Sequence, residues 1–147
     1  MFCYSKATQI KGLSNLDVSN VTNMSNMFNG SYVETLYLNN WDTSNVTDMS
    51  GMFAQKRDRV GDGIDIYLLG KFNTSKVTNM MMMFMGSSYK TLDLSNFDLS
   101  ENVALSNIFY ASSAKTIYVK NEDYSTRLKA TLSNKPFSDV TFIVKSS

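Results

Sequence analysis

The chain repeats itself, and this limits its fold more than any other property. Four segments are variants of one phrase: Asp17-Val-Ser-Asn-Val-Thr-Asn-Met-Ser-Asn-Met-Phe28, Asp42-Thr-Ser-Asn-Val-Thr-Asp-Met-Ser-Gly-Met-Phe53, Asn73-Thr-Ser-Lys-Val-Thr-Asn-Met-Met-Met-Met-Phe84 and Asp98-Leu-Ser-Glu-Asn-Val-Ala-Leu-Ser-Asn-Ile-Phe109. The closing phenylalanines stand at 28, 53, 84 and 109, so the step is 25 residues, then 31, then 25. The long step holds an insertion at 55–63, which is polar and turn-forming. Between the phrases lie short alternating runs, Leu36-Tyr-Leu38, Ile66-Tyr-Leu68, Leu92-Asp-Leu94 and Ile117-Tyr-Val119. Each reads as a very short strand with two side chains on one face. Ile10-Lys-Gly-Leu13 holds the same place in the first unit. A unit this short cannot bury its apolar face alone, whereas stacked neighbours can.

Each unit has a physical logic. The strand supplies an apolar rung, such as Leu36 and Leu38, followed by an anchor: Trp41, Phe72 or Phe97, with Leu16 in the first unit. Asp42-Thr43-Ser44 has the composition of a helix amino-terminal cap, because short polar side chains accept bonds from free amides there. Val46, Met49, Met52 and Phe53 then recur at steps of three and four, the face of a short helical turn. In the fourth unit Val103 comes one place late, but Leu105, Ile108 and Phe109 restore the register. The last segment differs. Residues 121–132 place Tyr124, Leu128 and Leu132 on one helical face behind Asn121 as a cap, and Asn134 and Pro136 end that helix. Val140, Phe142 and Val144 alternate as a final strand. The expected fold class is therefore α/β: a leucine-rich-repeat-like solenoid of about five turns, with short parallel strands and short helical turns, and a C-terminal helix-strand cap. Residues 1–120 form the solenoid and 121–147 the capping helix and strand. Met1-Phe2 occupies the place of Met27-Phe28, so the chain is read as opening mid-repeat, a carboxy-terminal fragment of a longer array.

Composition narrows the function. A net charge of +1 carries no basic footprint, so no nucleic-acid partner is expected. There is no histidine, which removes the commonest general base and the commonest metal ligand. The single cysteine, Cys3, gives neither a disulfide framework nor a thiolate zinc site. No apolar run approaches the length of a membrane span, and Met1-Phe2-Cys3-Tyr4 lacks the basic start and apolar stretch of a signal peptide. No nucleophile–base pair or phosphate-cradling glycine loop stands out. The expectation is no enzyme, no cofactor, no metal and no catalytic residue, with the chain acting as a monomer.

The phrase from Trp41 to Phe53 closely resembles the repeat of BspA-like bacterial surface proteins, also described as the mycoplasma-lipoprotein-type repeat. The match covers roughly Met1 to Tyr118. The resemblance implies a leucine-rich-repeat-like fold on extracellular proteins, and roles in adhesion to host proteins, glycans, other cells or surfaces. It carries no shared catalytic site and names no ligand. The sequence departs from the family pattern in the insertion at 55–63 and in the run Met80-Met81-Met82-Met83.

Two functions from different classes follow: a cell-surface or secreted adhesion module of a bacterium, or a structural spacer presenting another domain. For the first, the candidate ligand contacts are Lys56, Arg57 and Arg59 in the inserted loop and Tyr37, Tyr67 and Tyr118 between the strand core residues. Loops on a rigid scaffold concentrate recognition residues, and tyrosine offers much contact area at little entropic cost. The alternative for the tyrosines is that they pair across short strands. Lys11 and Asp93 hold the equivalent places in other units. The column Asp17, Asp42, Asn73, Asp98 reads as helix caps in preference to a calcium ladder, since Asn73 shows the charge to be dispensable. Asp58, Asp62 and Asp65 read as a solvated loop, because their spacing does not match a calcium loop. Met80 and Met83 sit on core positions as gap-fillers, whereas Met81 and Met82 replace Ser50 and Gly51 and extend an apolar patch, with a soft-metal site as the sharper reading. The Asn-x-Ser/Thr patterns at Asn20, Asn23, Asn29, Asn45 and Asn73 read as repeat turn chemistry before glycan acceptors.

Overall fold

The computed structural model describes residues 1–55, 71–87, 89, 91–132 and 140–145, together with the backbone of 65–67. Short strands alternate with long turn-rich segments. The strands are β1 (Thr35–Tyr37), β2 (Asp65–Tyr67), β3 (Thr91–Asp93), β4 (Thr116–Val119) and β5 (Thr141–Val144), and the helix α1 (Glu122–Ala130) lies between the last two. β1 pairs with β2 and, separately, β3 with β4 and β4 with β5, all in parallel. Leu36 pairs with Ile66, Leu92 with Ile117, and Ile117 in turn with Phe142, so the apolar rungs stand in register. Three isolated parallel bridges run along a second line, Asn23 to Asp48, Asp48 to Asn79 and Asn79 to Ala104.

That second line corrects the expectation of short helical turns. Met24, Asn26, Phe28 and Gly30 each donate an amide to the next unit, at the carbonyls of Asp48, Ser50, Met52 and Ala54, over 2.8 to 2.9 Å. Met49, Gly51, Phe53 and Gln55 do the same to Asn79, Met81, Met83 and Met85, and Met80, Met82, Phe84 and Gly86 to Ala104, Ser106, Ile108 and Tyr110. The residues between them close tight turns within their own unit, as Met27 does on Met24 and Asn29 on Asn26. Asn26, Gly51, Met82 and Asn107 have φ between 55° and 60°, a left-handed backbone that ends any right-handed helix after a residue or two. The steps of three and four mark inward side chains of consecutive tight turns, in which amides that serve the neighbouring unit alternate with amides that close a turn in their own.

The core is built by stacking like on like. Phe2, Phe28, Phe53, Phe84 and Phe109 form a ladder with ring centroids 5.5, 5.9, 5.8 and 5.8 Å apart and planes within 15° of parallel. Phe72 and Phe97 begin a second stack, 6.4 Å apart. Leu36, Leu38, Trp41, Val46, Met49, Met52 and Phe53 are all buried, as the repeat pattern requires. Burying each such side chain contributes about 1.5–3 kcal/mol. Val103 is buried despite its late position.

The first unit departs from expectation. Ile10 to Leu13 is no strand: Gly12 turns left-handed at φ 80° and Leu13–Asn15 form one turn of 3-10 helix. Leu16 is exposed, and Leu13 is buried instead, its carbonyl accepting the Trp41 indole N–H at 2.8 Å. The glycine reverses the chain before a strand can form, which swings Leu13 inward and Leu16 out.

At the other end α1 begins behind Asn121, whose side chain accepts the Tyr124 amide at 2.9 Å, with Glu122 and Asp123 in the first turn and Arg127 and Lys129 in the last. These charges complement the helix dipole. Leu128 is buried, while Tyr124 and Leu132 pack half-buried against the core. The Arg127 guanidinium donates to the carbonyls of Leu99, Ser100 and, at 3.1 Å, Val103. The Tyr124 hydroxyl donates to Asp98 at 3.0 Å.

Candidate functional site

Main-chain pairing and core packing account for most repeated positions, so a binding surface must come from side chains the stack leaves outward. On β1, Tyr37 is 59% exposed beside its buried neighbours Leu36 and Leu38. Its backbone stands in register with Tyr67 on β2. Tyr37 and Thr35 also face a cavity of about 400 Å3, walled by Gln9, Ile10, Lys11 and Gly12, where the first unit turns away instead of adding a strand. Lys11, the counterpart of the tyrosines in the first unit, thereby shares a cavity with Tyr37.

Tyr118 is placed differently. It lies on β4 between Asp93 of β3 and Ile143 of β5. The Lys145 ammonium sits 4.9 Å from its ring centroid and 2.5 Å from Asp93 Oδ2. Asp93 Oδ1 accepts from the Ser95 amide at 3.0 Å and hydroxyl at 2.6 Å. Partial burial pushes the Asp93 carboxyl up, but the Lys145 and Ser95 bonds outweigh it and hold it below the ordinary carboxylate range. Of the three tyrosines expected to form a stripe, Tyr37 is thus exposed, and Tyr118 is covered by the chain's own Lys145. The side chain of Tyr67 and the loop residues Lys56, Arg57 and Arg59 lie outside the described residues.

The acidic column also differs from its expected form. Asp17, Asp42, Asn73 and Asp98 each accept, through Oδ1, the amide of the serine two residues on, at 2.9 to 3.1 Å. These are Asx turns, not helix caps, for no helix follows them. Hydrogen bonds from the Ser19 and Ser44 hydroxyls and amides hold Asp17 and Asp42 below the usual carboxylate range. Burial raises Asp98, but the Ser100 amide and the Tyr124 hydroxyl more than reverse this. Among the described residues no group of three or more His, Cys, Asp or Glu lies close enough to share an ion, and no helix is long and apolar enough to cross a membrane.

The contacts that sequence reasoning missed are those that need the tertiary register. Lys145 reaches Tyr118 only because β5 pairs with β4, and Arg127 meets the fourth unit only through the docking of α1. Neither carries a local sequence signal.

The protein is of a class with short parallel strands repeated along the chain and one helix. The chain belongs to the family described as Mycoplasma protein of unknown function, DUF285, whose sequence model matches residues 1–120 and again 63–140. No curated protein and no solved structure matches it.

Proposed function

We propose that this protein is a non-enzymatic, cell-surface or secreted binding module of a bacterium, a leucine-rich-repeat-like solenoid of the BspA-like kind that adheres to host proteins, glycans or other cells. The observation that carries this reading is Tyr37, 59% exposed on a strand whose other apolar residues are buried and facing the cavity beside the first unit. A large aromatic ring held outward on a rigid strand is a contact residue by chemistry, since ring burial against a partner recovers its hydration cost with little loss of entropy. The inserted loop with Lys56, Arg57 and Arg59 adds a second candidate contact, because insertions in stacked repeats collect on one face.

The test is a panel of glycans and host-matrix proteins probed with the chain. Binding to a member of that panel, weakened by Tyr37→Ala or by deletion of Lys56 to Asp62, is expected. A panel with no binder, or binding untouched by both variants, overturns it. The competing reading is a spacer that presents another domain. It is favoured by the regularity of the joints, where four alternate amides of one unit bond the next at each of three steps. A spacer binds nothing in the panel yet keeps its length and shape in small-angle scattering. Localisation is tested separately, by antibody labelling of intact cells.

A further inference from the structure

We propose that Met81, Met82 and Met85 form a binding site for a soft monovalent cation, Cu(I). The methionines of the third unit divide into two sets. Met80 and Met83 are fully buried in the core. Met81, Met82 and Met85 instead line one cavity of about 240 Å3, with Met82 39% exposed.

Packing does not require thioethers there. The corresponding places hold Ser25, Asn26 and Asn29 in the first phrase, Ser50, Gly51 and Ala54 in the second, and Ser106, Asn107 and Tyr110 in the fourth, as the inter-unit bonds align them. Gly51, also on the cavity wall, lets the Asn26 side chain lie against its backbone: a Cβ on it would stand 2.4 Å from Asn26 Oδ1. Several amide atoms around the cavity are engaged by their neighbours. Asn29 Nδ2 donates to Asn26 Oδ1 at 2.8 Å, Asn79 Nδ2 to Asp48 Oδ2 at 3.2 Å, and Asn79 Oδ1 accepts the Met81 amide at 3.2 Å. Beside the polar groups of Asn26, Asn29 and Ser50, the cavity wall carries the thioethers of Met81, Met82 and Met85. They are soft, uncharged donors, which select Cu(I) over the hard cations that prefer carboxylates and water.

The experiment uses the full chain with Cys3→Ser, because Cys3 is an exposed thiol that would bind the same ion. Cu(I) is supplied anaerobically on a chromophoric chelator, and the methionine methyls are followed by NMR with 13C labels. The chain is expected to withdraw the metal, with shifts at Met81, Met82 and Met85 and none at Met80 or Met83. The variant M81L/M82L/M85L, close in volume to the original, is expected to keep the fold and lose the binding. If that variant does not fold, Met82→Leu alone is expected to weaken the competition with the chelator. Failure to withdraw Cu(I), or withdrawal unchanged by Met→Leu, overturns the proposal.

Discussion

An inner joint of this protein and its last joint solve the same problem by different means. Between the first and second phrases, the Asn45 side chain donates to the Ser19 carbonyl at 2.8 Å and the Thr47 amide to the Thr22 carbonyl at 2.8 Å. The equivalent carbonyls of the fourth phrase are those of Ser100 and Val103, and there both are taken by one side chain, Arg127 of α1. A planar guanidinium with five donors replaces an amide side chain and a main-chain N–H that a further unit would have supplied. The inner joint is thus general, made by backbone and stacked rings, whereas the last joint is particular and depends on a few residues of a helix.

The largest expected effect lies in the inner joint. Phe53 has a ring on either side, Phe28 and Phe84, so Phe53→Ala leaves a cavity that neither neighbour can fill. We expect a loss of about 3–5 kcal/mol in chemical denaturation. A loss under about 1 kcal/mol would mean the stack can collapse around the gap, and the joint is less rigid than its geometry implies.

The next effect tests the last joint. Arg127→Ala leaves three carbonyls without their charged donor, and we expect a loss of about 1.5–3 kcal/mol. Arg127→Lys is expected to recover little of it, because a single ammonium cannot serve carbonyls of Leu99, Ser100 and Val103 at once. Full rescue by lysine would reduce the role to charge near the helix carboxy terminus.

These two regions were not equally legible in the sequence. Burial was legible wherever it repeats: Val46, Met49, Met52 and Phe53 have buried counterparts in the later phrases, and in the first phrase only Val21 is half-buried, because side chains of similar size must stack. Backbone conformation was not. Apolar steps of three and four suit a helix, yet consecutive tight turns present the same steps, and only the left-handed residues separate the two. Gly51 hints at one, Asn26 and Asn107 less so, and Met82 not at all, since a methionine rarely takes positive φ. Of the candidate contacts, Tyr37 was readable from alternation alone. The cover over Tyr118 was not, because Lys145 lies 27 residues further on (118 to 145) and arrives through strand pairing.

A smaller effect sharpens the comparison through pH. Asp98 is linked to α1 by the Tyr124 hydroxyl, and its carboxyl titrates below the usual range. A carboxylate with a depressed folded value contributes stability that is complete above about pH 4, the unfolded value, and is lost as pH falls through the folded one. Asn73 fills the same place in the third phrase without a charge and cannot contribute in this way. We expect Asp98→Asn to cost about 0.5 kcal/mol at neutral pH, since solvent screens the partly open group, and nothing in strong acid. A cost that persists unchanged in acid would show that geometry at the last joint, not charge, holds the helix.

The smallest expected effect is none. The column of Asp17, Asp42, Asn73 and Asp98 runs through the inner joints to the last one, and a calcium ladder along it would make every joint depend on metal. In each residue Oδ1 already accepts an amide two residues on, and in Asp98 it also accepts the Tyr124 hydroxyl. An ion would have to compete with these bonds and would find one neutral amide in the row. A calcium ion held at 100 times its dissociation constant would add about 2.7 kcal/mol to folding stability, a shift that thermal unfolding detects easily. We therefore expect the melting temperature to be unchanged when a calcium chelator, or excess calcium, is added. A clear fall on chelation, restored by calcium, would assign the column to metal and make the inner joints as dependent on particular residues as the last.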